Sequence, residues 1–331
     1  MFDAAKIPLP ELALNLLLLL RSGGTGKQIS EISAALSVDL SLISRAADHL
    51  QKHGCHLETM PETIKLISTG WPWWRGVLEA ETEKSGRCLG RHVLVFEKTA
   101  STNDVAIQAA AKAHDPLVVL ADVQTRGRGR RENRWFSPAG QGVLMSVLLP
   151  NRNLPDDSLT LSVALACAEA LERLTQRELQ LKWPNDVLID HKKAAGILIE
   201  TRPHRDDPQA VDVVIGIGVN VLQKPEDFPA SIAGNAISLD MINPGNFDRL
   251  AVIDALLDEL EKYCLASLDL ESLVEKWRSR CTMLGQMVRV NCGGVILEGR
   301  VADVDPMYGL VLRDGAGAIH FCRARETTVL S

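Results

Sequence analysis

The stretch Arg126-Gly127-Arg128-Gly129-Arg130-Arg131 alternates arginine with glycine and is followed by an aromatic residue at Trp135. Glycine lets a backbone approach a ligand closely and adopt positive φ angles. Arginine supplies a planar set of donors that matches carboxylate and phosphate groups. On its own, a Gly-Arg segment is more typical of an RNA-binding or solvated loop. With further motifs around it, the stretch predicts a flexible basic loop over an anionic ligand.

Two further motifs follow at a distance that suits separate elements of one domain. Lys182-Trp183-Pro184-Asn185-Asp186 comes about one helix and one strand later, and Lys193-Ala194-Ala195-Gly196 lies just beyond it. Taken alone, Pro-Asn-Asp is turn chemistry and Lys193 is an ordinary surface lysine. Together with the basic loop, two separately placed lysines indicate a site that binds an acid and a nucleotide together.

The sequence around these motifs alternates strand-like and helix-like segments, which predicts a central α/β or α+β domain built on a mixed sheet over residues 76–280. The strand-like runs are Val93–Phe96, Leu117–Leu120, Val143–Leu148 and Val213–Ile217. The helix-like runs are Thr102–Ala113, Leu159–Leu174 and Arg249–Ser267. Ser101 stands where a helix cap is expected.

The segment before this domain, residues 1–69, predicts three helices and a two-stranded wing, which is the winged helix-turn-helix pattern. The expected elements are a helix around Leu12–Leu20, a second capped by Ser30, a third over Leu42–His53, and strands His56–Thr59 and Thr63–Ile67. Gly70–Trp74 reads as a linker in which tryptophans pack between domains.

The segment after the central domain, residues 282–331, contains four short strand-like runs, which predict a small β-barrel. These runs are Met287–Val290, Ile296–Val304, Leu310–Arg313 and Ile319–Ala324. The whole chain is therefore expected to be a multidomain α+β protein with units at 1–69, 76–280 and 282–331.

Composition excludes several classes of protein. The 331 residues carry a net charge of −6, which argues against a surface that binds nucleic acid throughout. Seven scattered cysteines without a C-x-x-C pair predict neither a disulfide scaffold nor a zinc site. The most apolar run, Leu12–Leu20, is shorter than the ~20 residues of a membrane span. We expect a cytoplasmic protein that does not enter a membrane.

The motifs occur in an order that resembles bacterial biotin–protein ligases of the bifunctional type, which carry an N-terminal DNA-binding domain. The matching segments are Ser101-Thr102-Asn103, Gln124, Gly127–Arg131 with Trp135, Lys182–Asp186, Lys193–Leu198 and Gly216–Asn220. The resemblance covers essentially the full chain. It implies a class II synthetase-like catalytic domain and a C-terminal barrel of the SH3-like kind.

The resemblance also implies two-step chemistry. Biotin attacks the α-phosphate of ATP, which gives biotinyl-5′-AMP and pyrophosphate, and a lysine of a biotin carboxyl carrier protein, such as an acetyl-CoA carboxylase subunit, then attacks the anhydride. An anionic nucleophile must approach an anionic phosphate, so cations must screen the repulsion. Mg²⁺ would hold the triphosphate, and the protein is not expected to supply a metal-ligand cluster of its own. The expected catalytic residues are Arg128, Arg130, Lys182 and Lys193.

The same resemblance divides the remaining site residues between the two substrates. Side chains able to bond a neutral ureido ring, together with nearby cations and loop backbone, are expected to bind biotin. They are Ser101, Thr102, Asn103, Gln124, Arg128, Gly129, Arg130 and Lys193. The nucleotide is expected to contact Gly127, Arg131, Trp135, Lys182, Asn185, Asp186 and Asn220, with the indole ring as a flat face for adenine.

The chain departs from the family pattern inside the basic loop. After the double arginine the family continues Gly-Arg, whereas Glu132-Asn133 stands here. One cation becomes neutral and one glycine becomes an acid. Because of this departure, a contact between Asn133 and the nucleotide is an open question, and the loop is predicted to be stiffer than in the family.

Two other functions stay open at this point. The N-terminal pattern favours a biotin-responsive repressor that binds operator DNA, in which pairing of two copies would raise avidity. Its charge argues for weak binding, because residues 1–69 carry six Lys and Arg against seven Asp and Glu. A homodimer is among the partners left open. Lipoate–protein ligation is a weaker alternative, since the arginine loop and Lys-Trp-Pro-Asn-Asp resemble the biotin branch.

Overall fold

The computed structural model describes residues 7–22, 26–131, 133–153, 157–266 and 269–330. The outer ends of the expected domains at 1–6 and 331, the loop residue Glu132, and the expected helix end at Ser267 lie outside these residues. The N-terminal unit consists of α1 (Leu9–Arg21), β1 (Lys27–Gln28), α2 (Ile29–Leu36), α3 (Leu40–Lys52), β2 (His56–Thr59) and β3 (Thr63–Ser68). Its strands form an antiparallel sheet in the order β1-β3-β2.

Several boundaries in this unit differ from the expectation by one to three residues, and two helix starts have a clear physical reason. Helix α2 begins at Ile29, so Ser30 lies within its first turn and does not cap it. Helix α3 begins at Leu40, two residues earlier than expected, because the Asp39 side chain accepts a hydrogen bond from the Leu42 amide at 2.9 Å. An aspartate at this position satisfies an amide that the helix itself cannot pair.

The central unit follows a short 3-10 turn at Trp71–Trp73. Its elements are α4 (Trp74–Ser85), β4 (Val93–Thr99), α5 (Thr102–Ala109), β5 (Leu117–Gln124), β6 (Gly142–Arg152), α6 (Asp157–Thr175), β7 (Gln180–Lys182), β8 (Asp186–Ile189), β9 (Lys192–Pro203), β10 (Val211–Asn220), α7 (Ala230–Ala233), α8 (Arg249–Cys264) and α9 (Leu270–Arg280).

The central strands form one seven-stranded mixed sheet in the order β4-β5-β6-β10-β9-β8-β7. Strands β4 and β5 are parallel, and the other neighbours are antiparallel. Side chains alternate across the strands, so Val119, Leu148 and Val214 pack with α5 on one face. Their neighbours join a larger core on the opposite face, beneath α6 and α8. The functional residues described below lie on the α5 face.

The C-terminal unit is a five-stranded antiparallel sheet, which we call the C-terminal sheet. Its strands are β11 (Met287–Cys292), β12 (Val295–Asp305), β13 (Gly309–Arg313), β14 (Ile319–Cys322) and β15 (Thr327–Val329). They lie in the order β14-β13-β12-β11-β15, and a 3-10 turn at Ala324–Glu326 connects the two outer strands. No helix within the described ranges combines the length and the apolarity that a membrane crossing requires.

A polar network joins the N-terminal unit to the central unit. Arg21, at the end of α1, donates to Glu81 at 3.0 Å and to Asp248 at 3.2 Å, and Asp248 also accepts from the Thr69 amide and hydroxyl. Trp73 belongs to the linker Gly70–Trp74, and its ring meets the rings of His49 on α3 and of His53 just after α3 edge-on. This contact is of the kind expected if a linker tryptophan packs between domains.

We expect Arg21→Met to lower the free energy of unfolding by about 3 kcal/mol, because it leaves two largely buried carboxylates without their cation. Only 12% of the Arg21 side chain and 15% of the Asp248 side chain are exposed. Arg75→Met is the matched control, since it removes the exposed i,i+4 pair with Glu79, which is worth less than about 0.5 kcal/mol. Urea unfolding of both variants measures the difference, and equal midpoints would contradict the prediction.

Candidate active site

A cavity of about 250 Å³ opens on the α5 face of the central sheet. It is bounded by the start of α5, the loop after β5, the turn between β7 and β8, and the glycine-bearing parts of β9 and β10. Most of the residues expected from the sequence line this one cavity: Ser101, Thr102, Asn103, Gln124, Arg128, Gly129, Arg130, Arg131, Trp135, Lys182, Asn185, Asp186 and Lys193.

One wall of the cavity is a continuous hydrogen-bonded chain. The Thr102 amide donates to Gln124 Oε1 at 2.7 Å. Ser146, fully buried on β6, lies 2.7 Å from the Thr102 hydroxyl and donates to Asn103 Oδ1 at 2.5 Å. Ser101 occupies the cap position of α5, as expected, but its side chain makes no capping hydrogen bond. This wall therefore presents neutral donors and acceptors.

The basic loop folds as a small hairpin. Arg128 and Arg134 form an antiparallel bridge, the Trp135 amide donates to Gly127 O at 3.0 Å, and the Gly129 amide donates to Asn133 O at 2.6 Å. Asn133 thus has a backbone role in the hairpin. The pairing brings the start and the end of the loop together, which places the Trp135 ring over the sheet.

Close approach of side chains to the sheet explains two glycines on β10. A Cβ at Gly218 would overlap the Trp135 ring, and a Cβ at Gly216 would overlap the Asn103 amide. Their lack of side chains makes the room that the indole and the amide occupy. The Trp135 Nε1 is buried against Gly218 and has no hydrogen-bond acceptor within the described part of the chain.

Arg128 is held by two carboxylates at the rim of the cavity. It forms a short ion pair with Asp104 and donates to Glu200 at 3.0 and 3.2 Å. Burial acts to lower the pKa of Arg128, but the bonds to Asp104 and Glu200 outweigh it and raise the pKa above the ordinary value. The guanidinium therefore stays charged, with one edge directed at the protein.

The next two arginines contact the C-terminal sheet. Arg130 donates to the carbonyl oxygens of Ala324 and Thr327, the latter at 2.9 Å, and Arg131 donates to Glu326 O at 2.9 Å. Burial, and then the charge of Arg131, lower the pKa of Arg130. Thr328 and Val329 of β15 line the cavity beside them. The C-terminal sheet thus forms part of the wall and anchors the loop.

The two lysines stand in different surroundings. Lys193 Nζ lies 2.5 Å from Asp186 Oδ1 and 5.7 Å from the centre of the Trp135 ring. Lys182 is exposed, and within the described residues it has no ion-pair partner. Asn185 donates from Nδ2 to Ile197 O at 2.9 Å, which leaves its amide oxygen for other partners.

Two residues expected at the nucleotide lie outside the cavity wall. Asn220 is buried and donates from Nδ2 to Lys193 O at 3.1 Å and to Ile237 O at 3.2 Å, so it supports the backbone that carries Lys193. Gly127 is buried behind the indole, where a Cβ would lie 2.8 Å from Trp135 O. Both residues contact residues that do line the cavity.

The charge of the cavity favours an anionic ligand. Among the described residues that line it, six are cationic and one, Asp186, is acidic. The cationic residues are Arg128, Arg130, Arg131, Arg134, Lys182 and Lys193. A site with this imbalance and a neutral polar wall can bind a molecule that has an uncharged polar end and a negatively charged end.

Several contributors to the site were not anticipated from the sequence. Ser146 lies in a predicted strand but was expected only to pack in the core, Glu200 lies on β9, which was not predicted, and Asp104 is an ordinary first-turn acid of α5. A signal for Glu200 did exist, because it follows the motif residue Gly196 by four positions on one strand and must share its face. Thr328 and Val329 gave no such signal.

Comparison with known proteins gives three concordant results. Residues 95–220 match the model of the Biotin/lipoate A/B protein ligase family. The bifunctional ligase/repressor BirA of Bacillus subtilis (strain 168) is 31% identical over 297 residues, which cover 87% of this chain and 89% of that protein. A biotin–[acetyl-CoA-carboxylase] ligase of Mycobacterium tuberculosis is 33% identical over 240 residues, covering 69% of this chain and 86% of that protein.

Solved structures agree with these relatives. The biotin protein ligase from Aquifex aeolicus in complex with biotin and ATP has a TM-score of 0.59 and 28% identity, and the match covers 72% of this chain and 98% of that one. A mutant of the Aquifex ligase in complex with biotin gives a TM-score of 0.61 and 27% identity, over 72% of this chain and 97% of that one.

Proposed function

The chain belongs to the biotin–protein ligase family, and we propose how its residues carry out that reaction. The protein is an ATP-dependent ligase that activates biotin as biotinyl-5′-AMP, with release of pyrophosphate, and transfers biotin to a protein lysine. The observation that carries the assignment of residues is the cavity itself, which combines a neutral polar wall with six cations.

The neutral wall is proposed to bind the ureido ring. Ser101, Thr102, Asn103 and Gln124 line one end of the cavity, and together they offer both donors and acceptors. A ureido group needs both, because its oxygen accepts and its nitrogens donate. The apolar remainder of biotin would then extend along the glycine-bearing strands toward the cations.

The cations are proposed to act on the carboxylate and the α-phosphate. Arg128, Arg130, Lys182 and Lys193 would screen the repulsion between these anions and stabilise the charge that develops as the bond forms. Lys182, which has no ion-pair partner among the described residues, is available without any exchange of contacts. Lys193 would exchange part of its contact with Asp186 for the substrate. Gly129 lines the cavity beside these cations, and because its amide is already bonded to Asn133 O, it would contact biotin by close approach and not by a hydrogen bond to the carboxylate.

The nucleotide is proposed to lie between the loop and the β7–β8 turn. Trp135 would stack on the adenine, while Arg131 and Asn185 would contact the nucleotide directly, and Gly127 and Asn220 would act through the neighbours they support. Mg²⁺ fits this donor set, because it is bound by phosphates and few protein groups, and Asp186 with the Asn185 amide oxygen would supply those few. The ion would neutralise phosphate charge.

The arrangement of domains is proposed from the elements of the structure. Three helices and the sheet β1-β3-β2 support a winged helix-turn-helix unit over 1–69, and the central mixed sheet supports a class II synthetase-like domain over 76–280. The five strands of the C-terminal sheet support an SH3-like barrel over 282–331.

The acceptor is proposed to be a biotin carboxyl carrier domain of an acetyl-CoA carboxylase, since a relative is named for that target. The seven cysteines are free thiols, which supports a cytoplasmic setting. Lipoate ligation is disfavoured, because the Mycobacterium ligase and the Aquifex structures are named for biotin, although the matching family model covers both biotin and lipoate ligases. A mainly regulatory role is also not favoured, although homodimers and operator DNA stay proposals for the N-terminal unit.

Purified protein is expected to exchange labelled pyrophosphate into ATP only when biotin is present, because the first step is reversible and needs the carboxylate. Parallel reactions with lipoate in place of biotin are the control. The second step is measured by adding a biotin carboxyl carrier domain and following transfer of labelled biotin to it. Exchange that is driven by lipoate and not by biotin would overturn the assignment.

A further inference from the structure

Glu200 connects the neutral wall of the cavity to the basic loop. Its Oε2 accepts from Asn103 Nδ2 at 2.6 Å, and both of its carboxylate oxygens accept from Arg128 at 3.0 and 3.2 Å. The side chain is about two-thirds buried, with 31% exposed. It lies on the α5 face because it is two and four residues beyond Leu198 and Gly196 on β9.

A carboxylate can only accept hydrogen bonds, so Glu200 fixes the orientation of the Asn103 amide. The Asn103 nitrogen must face Glu200, and the Asn103 oxygen must therefore face Ser146. That oxygen also only accepts, so the single hydroxyl hydrogen of Ser146 points to it. Without a charged acceptor at position 200, the Asn103 amide could rotate by about 180°, so that its oxygen and nitrogen exchange places and the direction of each hydrogen bond reverses.

The fixed direction of hydrogen bonding extends from Ser146 to Thr102. The hydroxyl oxygens of Ser146 and Thr102 are 2.7 Å apart, a contact that requires a hydrogen between them. The Thr102 hydroxyl also lies 3.2 Å from Gln124 Oε1, but since the Ser146 hydrogen is already used, Thr102 directs its one hydrogen to the closer Ser146 oxygen. The Thr102 hydroxyl then offers only its lone pairs to the cavity, while the Gln124 oxygen is occupied by the Thr102 amide and its Nε2 stays a donor.

We propose that Glu200 is a positioning residue that sets the donor and acceptor pattern of the ureido subsite through Asn103, Ser146 and Thr102. With Glu200 charged, the wall presents an acceptor at Thr102 and a donor at Gln124, which suits the N–H and C=O groups of a cyclic urea. The inference rests on the proposed function for the identity of the ligand. The ion pair with Arg128 by itself suggests only that Glu200 anchors the basic loop. The proposal gives Glu200 a second role, in the specificity of the ureido subsite.

Biotin affinity measured by calorimetry without ATP tests the proposal. We expect Glu200→Gln, which keeps the shape and removes the fixed polarity, to weaken biotin binding by about 10-fold, the effect of about one hydrogen bond. The apparent affinity for ATP should be unchanged. Asp104→Asn is the matched control, because it removes the other carboxylate from Arg128 but leaves the Asn103 contact, and its effect should be under about threefold.

A double-mutant cycle separates positioning from general damage. Thr102→Val removes the hydroxyl through which Glu200 is proposed to act. The double variant Glu200→Gln with Thr102→Val should therefore bind biotin no more weakly than whichever single variant has the lower biotin affinity. The cycle of Asp104→Asn with Thr102→Val should instead be additive. Ser146→Ala interrupts the same chain in the middle, and it should reproduce the loss if Glu200→Gln fails to fold.

Three results would overturn the proposal: wild-type affinity in Glu200→Gln and Ser146→Ala, an equal loss in Asp104→Asn, or strictly multiplicative losses in the first cycle. An equal loss in Asp104→Asn would show that Glu200 acts only through the charge of Arg128. Absence of biotin binding by the wild-type protein would be a different failure, because it would remove the proposed function and not only the role of Glu200.

Discussion

Lys193→Ala is expected to slow adenylate formation by about 10²-fold or more, the usual loss when one preorganised charge is removed from the reacting atoms. Lys193 lines the cavity, and its ammonium lies between Asp186 at 2.5 Å and the face of Trp135. The substitution removes a cation and also leaves the Asp186 carboxylate uncompensated. Both changes raise the energy of bringing two anions together.

Single-turnover formation of biotinyl-5′-AMP is the measurement for this variant, since it isolates the first chemical step. Lys192→Ala is the matched control, because Lys192 is the neighbour on β9 and does not line the cavity. Lys182→Ala should show a loss similar to that of Lys193→Ala. Rates near wild type in both cavity variants would show that these two lysines are structural or surface residues and do not act on the reacting atoms.

Arg130→Gly is expected to release biotinyl-5′-AMP into solution and to label nearby lysines indiscriminately. Each charge-assisted hydrogen bond from a guanidinium is worth ~1.5–3 kcal/mol, so the loss of two would speed dissociation by two or more orders of magnitude. The structure adds a second reason, since Arg130 also donates to Ala324 O and Thr327 O. The glycine variant loses both the contact with the adenylate and the anchor of the loop.

The release rate of preformed labelled adenylate, measured by rapid filtration, tests this prediction. Arg126→Gly is the control, because Arg126 belongs to the same loop, is exposed, and does not line the cavity. Arg130→Lys separates charge from geometry, since lysine keeps the charge but cannot donate to two carbonyls in the same way. Unchanged retention in Arg130→Gly would show that the loop holds the adenylate without this residue.

Motif residues could be predicted from the sequence because their chemistry is local. Lys182, Lys193 and the loop arginines stand in short segments whose residue types are unusual for a turn or a strand, and the structure brings them to one cavity. Hydrophobic runs likewise predicted four of the seven central strands, β4, β5, β6 and β10, although each is longer in the structure because further residues, many of them polar, continue it at its ends. Strands β7, β8 and β9 were not predicted.

Other features depend on contacts between distant segments and could not be predicted in this way. Strand β1 has two residues, too few for any alternation to be visible, and it exists through pairing with β3. The partners of Arg128 and Arg130 lie 72 and 194 residues away along the chain. Helix α9, by contrast, left a signal, since Leu273, Val274 and Trp277 have helical spacing.

The anchoring of the loop on the C-terminal sheet uses main-chain oxygens at Ala324, Glu326 and Thr327. Every amino acid carries such an oxygen, so mutations that change these side chains leave the acceptors where they are. Insertion or loss of a single residue between Cys322 and Thr327 would shift all three acceptors at once. Mutational scanning of this turn should therefore find wide freedom of residue type at the exposed Arg325 and Glu326, less at the buried Ala324 and Thr327, and almost no freedom of length.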